Sequence, residues 1–210
     1  MTDQGQFWDS IADKYAKQPV ADQAAYEKKL AVTRGYMRPD MEVLEIGCGT
    51  GTTALHHAPA VKHIRAVDIA PRMIEIARDK ARAAGVTNVD FDVSTIDDLQ
   101  VPDGSLDMVM AHSILHLVDD KDAVIARIHR MLKPGGLFVS STVCLADSPL
   151  LAAIVTVVAP VGRLLGKFPR VLRAFSAQAL VRAMTQAGFA IDHQWQPGKT
   201  KAVFIVAKKV

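Results

Sequence analysis

The sequence predicts an α/β domain: a mostly parallel sheet, helices on both faces, and an antiparallel strand near the C-terminus. Three observations predict it. Short apolar runs alternate with segments of helical periodicity. A glycine-rich turn, Gly47-Cys-Gly-Thr-Gly51, stands directly after the first apolar run. Finally, only Gln196-Pro-Gly-Lys-Thr200 separates the last two strand-like runs, which is too short for a parallel crossover.

The elements follow in order. Val43–Ile46, Ile64–Asp68, Val89–Val93, Leu106–Ala111 and Leu137–Val143 are near-continuous apolar runs, as strands buried on both faces are. Between the second and third, Pro71 opens a helix at its first turn. Ile74, Ala77, Ala81 and Ala84 recur at helical spacing before Gly85 stops it. Asp120–Leu132 forms another helix, with Val124, Ile128 and Leu132 on one face, and Pro134-Gly135-Gly136 turns the chain into the fifth strand. Ser176–Ala187 is a helix with Ser176 as N-cap and Gly188 as its stop. Phe189–Trp195 and Ala202–Lys208 then pair antiparallel.

The 210 residues are 50% hydrophobic, which suits one domain, 1–210, with a real core. A net charge of +3 without a dense Lys/Arg cluster argues against nucleic acid. Cys48 and Cys144 make neither a metal nor a disulfide framework. No basic leader precedes an apolar run at the N-terminus, and the longest uncharged apolar run, Pro149 to Gly162, falls short of the ~18 residues that span a membrane. A cytoplasmic protein is expected.

The glycine turn is the most specific feature. A dinucleotide site uses G-x-G-x-x-G, but Thr52 occupies the last glycine position and the glycine falls one residue earlier, at Gly51. Glu45, two residues before Gly47, would repel a pyrophosphate yet can hold an ammonium group. Asp68 ends the second strand, about 20 residues on, where a ribose-binding acid is expected. The crevice therefore reads as one for a nucleoside that carries an amino acid. A tight strand-to-helix turn without a ligand is the bland alternative, and so is Asp68 as a cap for the helix opened by Pro71.

Glu45-Ile-Gly-Cys-Gly-Thr-Gly51, Ala66-Val-Asp68, Asp107-Met-Val-Met-Ala111 and Leu132-Lys-Pro-Gly-Gly-Leu-Phe138 resemble four successive motifs of the class I S-adenosylmethionine (SAM)-dependent methyltransferases. The likeness covers residues 7 to 145 well, and the Phe7-Trp8-Asp9…Tyr15 start resembles the small-molecule branch with quinone-pathway and lipid methyltransferases. The resemblance implies a Rossmann-like, doubly wound, seven-stranded sheet with an antiparallel C-terminal strand. It also implies SAM as cofactor, released as S-adenosylhomocysteine. Residues 1–40 would form an N-terminal helical cap and 148–175 a substrate-side insert.

On this resemblance Gly47, Cys48, Gly49 and Gly51 line the methionine half, with Glu45 on its ammonium. Asp68 takes the ribose hydroxyls, and Ile69 and Met73 cover the adenine, although Met73 in the core is the alternative. After the third strand the family usually has an acid for the adenine amino group. Here Thr95 holds that position and Ile96 follows, with Asp97 and Asp98 as runner-up acids. Ala111 and His112 end the fourth strand beside the expected methyl position, and Tyr15 would close over the cofactor.

Methyl transfer from a sulfonium needs alignment and desolvation, and a general base only where the acceptor must lose a proton. His112 and Tyr15 are the candidate catalytic residues. His116 lies four residues beyond His112, but no acidic or cysteine partner accompanies the pair, so no metal is expected. His56 and His57 are expected at the surface or in packing.

Residues 148–175 begin apolar, then carry Arg163, Lys167, Arg170 and Arg173 at helical spacing, interrupted by Pro169. A lid over a lipophilic acceptor, peripheral contact with an anionic membrane and a homodimer contact stay open. The expected function is methyl transfer to a small lipophilic acceptor, quinone-like, phenolic or lipid. An amine N-methyltransferase at a membrane surface, a nicotinamide-dependent oxidoreductase and a SAM-binding protein without catalysis are the rivals.

Overall fold

The computed structural model describes residues 3–164, 167–198 and 200–210. Met1 and Thr2 of the expected cap, Leu165 and Gly166 of the 148–175 segment, and Lys199 of the last turn lie outside the described residues. Seven strands form one sheet: β1 Glu42–Ile46, β2 His63–Asp68, β3 Val89–Val93, β4 Leu106–His112, β5 Leu132–Thr142, β6 Phe189–Trp195 and β7 Val203–Lys209. Their order is β3-β2-β1-β4-β5-β7-β6. Each neighbouring pair is parallel except β5–β7 and β6–β7, so β7 alone runs the other way. Strand order reverses at β1, between β2 and β4, which opens a crevice beyond the carboxyl ends of these strands.

Helices cover both faces. Val43, Met108, Met110 and Val139 pack with Ala54 of α3 (Thr52–His57) and Ile74 and Ala77 of α4 (Pro71–Ala84). The alternate residues Leu44, Ile46, Val109 and Phe138 pack with Ile125 and Ile128 of α5 (Lys121–Met131) and Leu180 and Met184 of α8 (Ala177–Gln186). Period-two alternation therefore assigns every strand-end residue to one face. Glu45, Asp68, His112 and Ser141 share the parity of Val43, Ile64, Met110 and Val139, and so belong to the α3/α4 face.

The N-terminal segment forms α1 (Asp3–Ala16) and α2 (Gln23–Gly35). Helix α1 is pinned over the crevice by polar contacts. Asp9 Oδ1 accepts the Arg72 amide at 2.7 Å and so supplies the side-chain cap that Ala70, at the start of α4, lacks. Asp13 pairs with the Arg72 guanidinium at 2.8 Å. Gln4 Nε2 donates to the Leu117 carbonyl at 2.7 Å while its Oε1 accepts the Val171 amide at 3.0 Å. One side chain thus ties α1 to two loops on the far rim.

Two local expectations are corrected. Strand β5 starts at Leu132, not Leu137, because Pro134-Gly-Gly136 is a bulge inside it: its register against β4 shifts between Leu106 and Met108. The four cations do not share a helix face. The 148–175 segment is α6 (Pro149–Ala153), a π-helical turn over Ile154–Val158, and α7 (Ala159–Leu164), and Lys167 to Arg173 follow outside helix. Arg163 Nε reaches the Pro169 carbonyl at 3.3 Å and Arg173 pairs with Asp119 at 3.1 Å. Among the described residues no helix is long and apolar enough to cross a membrane.

Candidate functional site

The crevice holds a cavity of about 770 Å³, within the size range of small-molecule sites. Its walls come from the ends of β1, β2 and β4, the loop after β3, and α1. Gly47, Gly49, Asp68, Ile69, Met73, Thr95, Ile96, His112 and Tyr15 all line it. Glu45, Cys48, Gly51 and Ala111 do not. Cys48 and Ala111 are buried in the two core layers, and Glu45 lies beneath the glycine turn.

The glycines do different jobs. A Cβ on Gly49, at φ +53°, would meet only Tyr15, at 3.8 Å. The backbone there faces open cavity, where a ligand can approach it. A Cβ on Gly51, at φ +74°, would sit 2.7 Å from the Phe91 ring and 2.8 Å from Ala77. Its bareness lets α4 and β3 close on the turn. This is the helix-packing job that a dinucleotide motif gives to its last glycine, done here one residue earlier. Gly51 does not line the cavity.

Glu45 is 2% exposed. The Ala54 amide holds its carboxylate, while Oε2 is buried with no partner among the described residues. Burial, reinforced by Asp68, pushes its pKa up to about 8, so the empty site keeps it neutral at pH 7. A buried carboxyl oxygen without a donor is costly, and an ammonium group is the donor that would both satisfy and ionise it.

Asp68 Oδ2 accepts the Gly49 amide at 2.9 Å and Oδ1 accepts the Ala70 amide at 3.0 Å. The carboxylate therefore braces the glycine turn and the entry to α4 while keeping lone pairs toward the cavity. Burial raises its pKa against the pull of these amides. Both sequence readings of Asp68 describe parts of its surroundings. Met73 likewise is 2% exposed, packed with Ala12 and Ala70, and on the cavity wall.

Thr95 differs from expectation. Its hydroxyl donates to Asp98 Oδ2 at 2.7 Å and accepts the Asp98 amide at 3.0 Å, leaving one lone pair. Asp97, one of the runner-up acids, lines the cavity.

At the other end stand His112 and His116. Burial, with the nearby His57 and Lys29, takes His112 down to about 3, and burial takes His116 to about 4. Both are neutral at pH 7, and His112 Nε2 and His116 Nδ1 are buried without partners among the described residues. Tyr15 stays a phenol, its pKa raised by burial and then by Asp68 and Glu45.

Sequence reasoning missed several neighbours. Gln4, Trp8, Ser113 and Arg170 also line the cavity, and Ser113 takes φ 57° just past the strand end. His57, expected in packing or at the surface, is fully buried. Lys29 of α2 donates to Ser141 Oγ at 2.8 Å, a contact across 112 residues that no local pattern signals.

Residues 43–136 match the family model described as a methyltransferase domain. An uncharacterised methyltransferase of Bacillus subtilis, YcgJ, is 34% identical over 109 residues, 52% of this chain and 43% of its own length. A ubiquinone/menaquinone biosynthesis C-methyltransferase of Shewanella piezotolerans is 34% identical over 113 residues, covering 52% of this chain and 45% of that protein. A ubiquinone biosynthesis O-methyltransferase of Xanthomonas euvesicatoria is 33% identical over 114 residues, covering 54% and 47%. The chain thus spans about half the length of the curated relatives it matches.

Among solved structures, the [4+2]-cyclase SpnF superposes with TM-score 0.79 at 21% identity, over 99% of this chain and 96% of that one. Geranyl diphosphate C-methyltransferase of Streptomyces coelicolor, crystallised with S-adenosylhomocysteine, superposes with TM-score 0.71 at 16% identity, over 89% and 76%. The fold is therefore the Rossmann-like fold of these proteins. Residues 43–136 match a methyltransferase domain, and the four motifs are similar to those of class I SAM-dependent methyltransferases.

Proposed function

We propose that the chain transfers a methyl group from SAM to a small, lipophilic acceptor of the phenolic or quinone-like class. The observation that carries this reading is Glu45. A buried carboxyl with one open oxygen beneath a glycine turn, beside Asp68 and a cavity at the sheet's switch point, fits a nucleoside bearing an α-amino group.

In this reading Glu45 holds the ammonium and the backbone at Gly47 and Gly49 follows the amino-acid portion. Asp68 accepts the ribose hydroxyls. Ile69, Met73 and Ile96 enclose the base, and Asp97 or the loop backbone meets its amino group. Tyr15, carried by the pinned helix α1, closes the top. SAM when bound supplies an electrophilic methyl, so the protein's task is to dry and align the acceptor. His112, neutral and on the cavity wall at the end of β4, can accept a hydrogen bond from the acceptor.

Several relatives point the same way: two act, by name, in quinone biosynthesis. A ridge of exposed apolar side chains adds to the lipophilic reading. Leu150, Val157, Val161 and Leu164 are 73%, 67%, 60% and 88% exposed, with no charged residue between Asp147 and Arg163. The ridge suits contact with a lipid surface from which such an acceptor is drawn. It equally supports the second reading, an amine N-methyltransferase at a membrane. Because a neighbour over nearly the whole chain is named a cyclase, SAM binding and turnover need separate tests.

Calorimetry with S-adenosylhomocysteine should show micromolar binding, and a labelled-methyl screen of lipid extracts should yield a methylated product. Absence of binding at millimolar ligand would end the proposal. Binding without transfer to any phenolic, quinone or lipid acceptor would leave only a SAM-binding protein.

A further inference from the structure

The glycine turn is held from two sides. On the cavity side Asp68 accepts the Gly49 amide. From the other side comes Lys80 of α4, whose Nζ donates to Thr50 Oγ1 at 2.8 Å and to Thr52 Oγ1 at 3.0 Å. Thr50 directly follows Gly49 and is 5% exposed. About one turn earlier on α4, Ala77 meets the bare side of Gly51. Neither Lys80 nor the two threonines lines the cavity.

A nucleoside that carries an amino acid brings a carboxylate to this turn as well as an ammonium. Glu45 meets the ammonium. The carboxylate finds little on the wall nearby. Arg170 is the one lysine or arginine among the described lining residues, and it stands next to Val171, at the Gln4 end of α1. Gly49 faces Tyr15, near the other end of that helix, about 16 Å away along its axis. Several of the turn's own amides are already taken. Cys48 donates to the Val67 carbonyl at 3.0 Å, Gly51 to the Cys48 carbonyl at 3.0 Å, and Gly49 to Asp68. Asp68 itself, when ionised, repels a second carboxylate. A fixed positive charge does reach the turn, and it comes from Lys80.

Bracing alone does not call for a cation. Burial lowers the Lys80 pKa, and among the described residues two neutral hydroxyls, not a carboxylate, receive its ammonium. A partly desolvated charge without a counter-charge is costly, and a ligand carboxylate across a single turn of backbone offsets that cost. Partial burial also leaves the field of Lys80 less screened by salt than that of a surface lysine.

We infer that Lys80 is a positioning residue of the cofactor site: it fixes the glycine turn through Thr50 and Thr52, and from behind the turn it supplies positive charge for the ligand's α-carboxylate. This rests on the methyltransferase reading and deepens it, because it assigns the counter-charge for the other half of the ligand's amino-acid group. Lys80 touches no ligand atom. It acts through Thr50 and the backbone at Gly49. A nucleoside without the amino acid gains nothing from Lys80, so the residue selects for the amino-acid portion and not for the adenosine.

The test compares two probes by calorimetry: S-adenosylhomocysteine, and 5′-methylthioadenosine, which keeps the nucleoside and the sulfur but lacks the amino acid. Lys80→Met should weaken S-adenosylhomocysteine at least fivefold and leave methylthioadenosine within twofold of the wild type. Lys80→Arg, which keeps the charge and can reach both hydroxyls, should restore most of the loss. Thr50→Val, which removes the link between the ammonium and the turn, should show the same selective loss, and combining it with Lys80→Met should cost little more than either alone. Urea midpoints of the variants confirm that they fold. Unchanged S-adenosylhomocysteine affinity in Lys80→Met, or equal losses for the two probes, would overturn the inference and reduce Lys80 to a brace, with the methyltransferase reading still standing. Failure of S-adenosylhomocysteine to bind the wild type would instead remove that reading and this inference with it.

Discussion

Occupying the cofactor site should expel a proton, and Glu45 is the group that loses it. In the empty protein its pKa is about 8, raised chiefly by burial. At pH 7 it is then about 90% protonated. An ammonium on the open Oε2 would favour the carboxylate and lower its pKa by about 1–3 units, the usual effect of an opposite charge at contact. Binding at pH 7 should thus release up to about 0.9 proton, falling to about 0.1 at pH 9. Affinity carries the same signature. The charge-assisted contact contributes about 1.5–3 kcal/mol, less about 1.4 kcal/mol to ionise the acid at pH 7. Affinity for S-adenosylhomocysteine should rise up to tenfold between pH 7 and pH 9, unless the ligand's own amine deprotonates first. Calorimetry in two buffers of different ionisation enthalpy measures the released proton directly. Glu45→Gln, nearly the same shape, should release none and show a flat affinity profile over this range. Proton release unchanged in Glu45→Gln, or absent from the wild type, would refute the pairing of Glu45 with the ligand's ammonium.

Asp68→Ala should cost at least tenfold in S-adenosylhomocysteine affinity and also loosen the turn, since it removes acceptors for the Gly49 and Ala70 amides; unchanged affinity by calorimetry would restrict Asp68 to bracing. Gly51→Val should destabilise by about 2–4 kcal/mol in urea titration, from overpacking against Phe91 and Ala77 plus left-handed strain, whereas Gly49→Val should lose ligand binding with the smaller penalty of strain alone. His57, His112 and His116 have folded pKa values near 4, 3 and 4, below the unfolded 6.5, so the unfolded state binds more protons as pH falls. Their stabilising contribution is complete above pH 6.5 and lost toward pH 4, His57 alone accounting for about 3 kcal/mol. Glu45, with its raised pKa, opposes them between pH 8 and pH 4.5, leaving a net fall in the urea midpoint below pH 6.5 that His57→Phe should flatten. Vesicle sedimentation should show binding reduced by Leu150→Ser with Val161→Ser, and no vesicle binding together with a loss of dimer in that variant would make the ridge a contact between copies.

The architecture was legible because its signals are local. Apolar runs flanked by turn residues located all seven strands, and the length of the last turn told that β7 reverses. The bulge at Pro134-Gly-Gly136 was read as a turn, since the same residues make either and only pairing with β4 decides. Asp68, Ile69, Met73 and His112, named on the family resemblance, all line the cavity at the sheet's switch point. Sequence could not tell which glycine faces ligand. Gly49 and Gly51 are alike in type and both have positive φ, and what separates them is Phe91 and Ala77, brought in from 40 and 26 residues away. Thr95 was likewise named by position, while the fold of its loop onto Asp98 decided what its hydroxyl does. The cations after Arg163 were given a helix face by spacing, but the helix stops at Leu164. The contact of Lys29 with Ser141 lay furthest from view, because it joins α2 to the end of β5 across 112 residues. Periodicity along a chain determines which way a side chain points from its own element. Which other side chains it meets is decided when the sheet brings distant elements together.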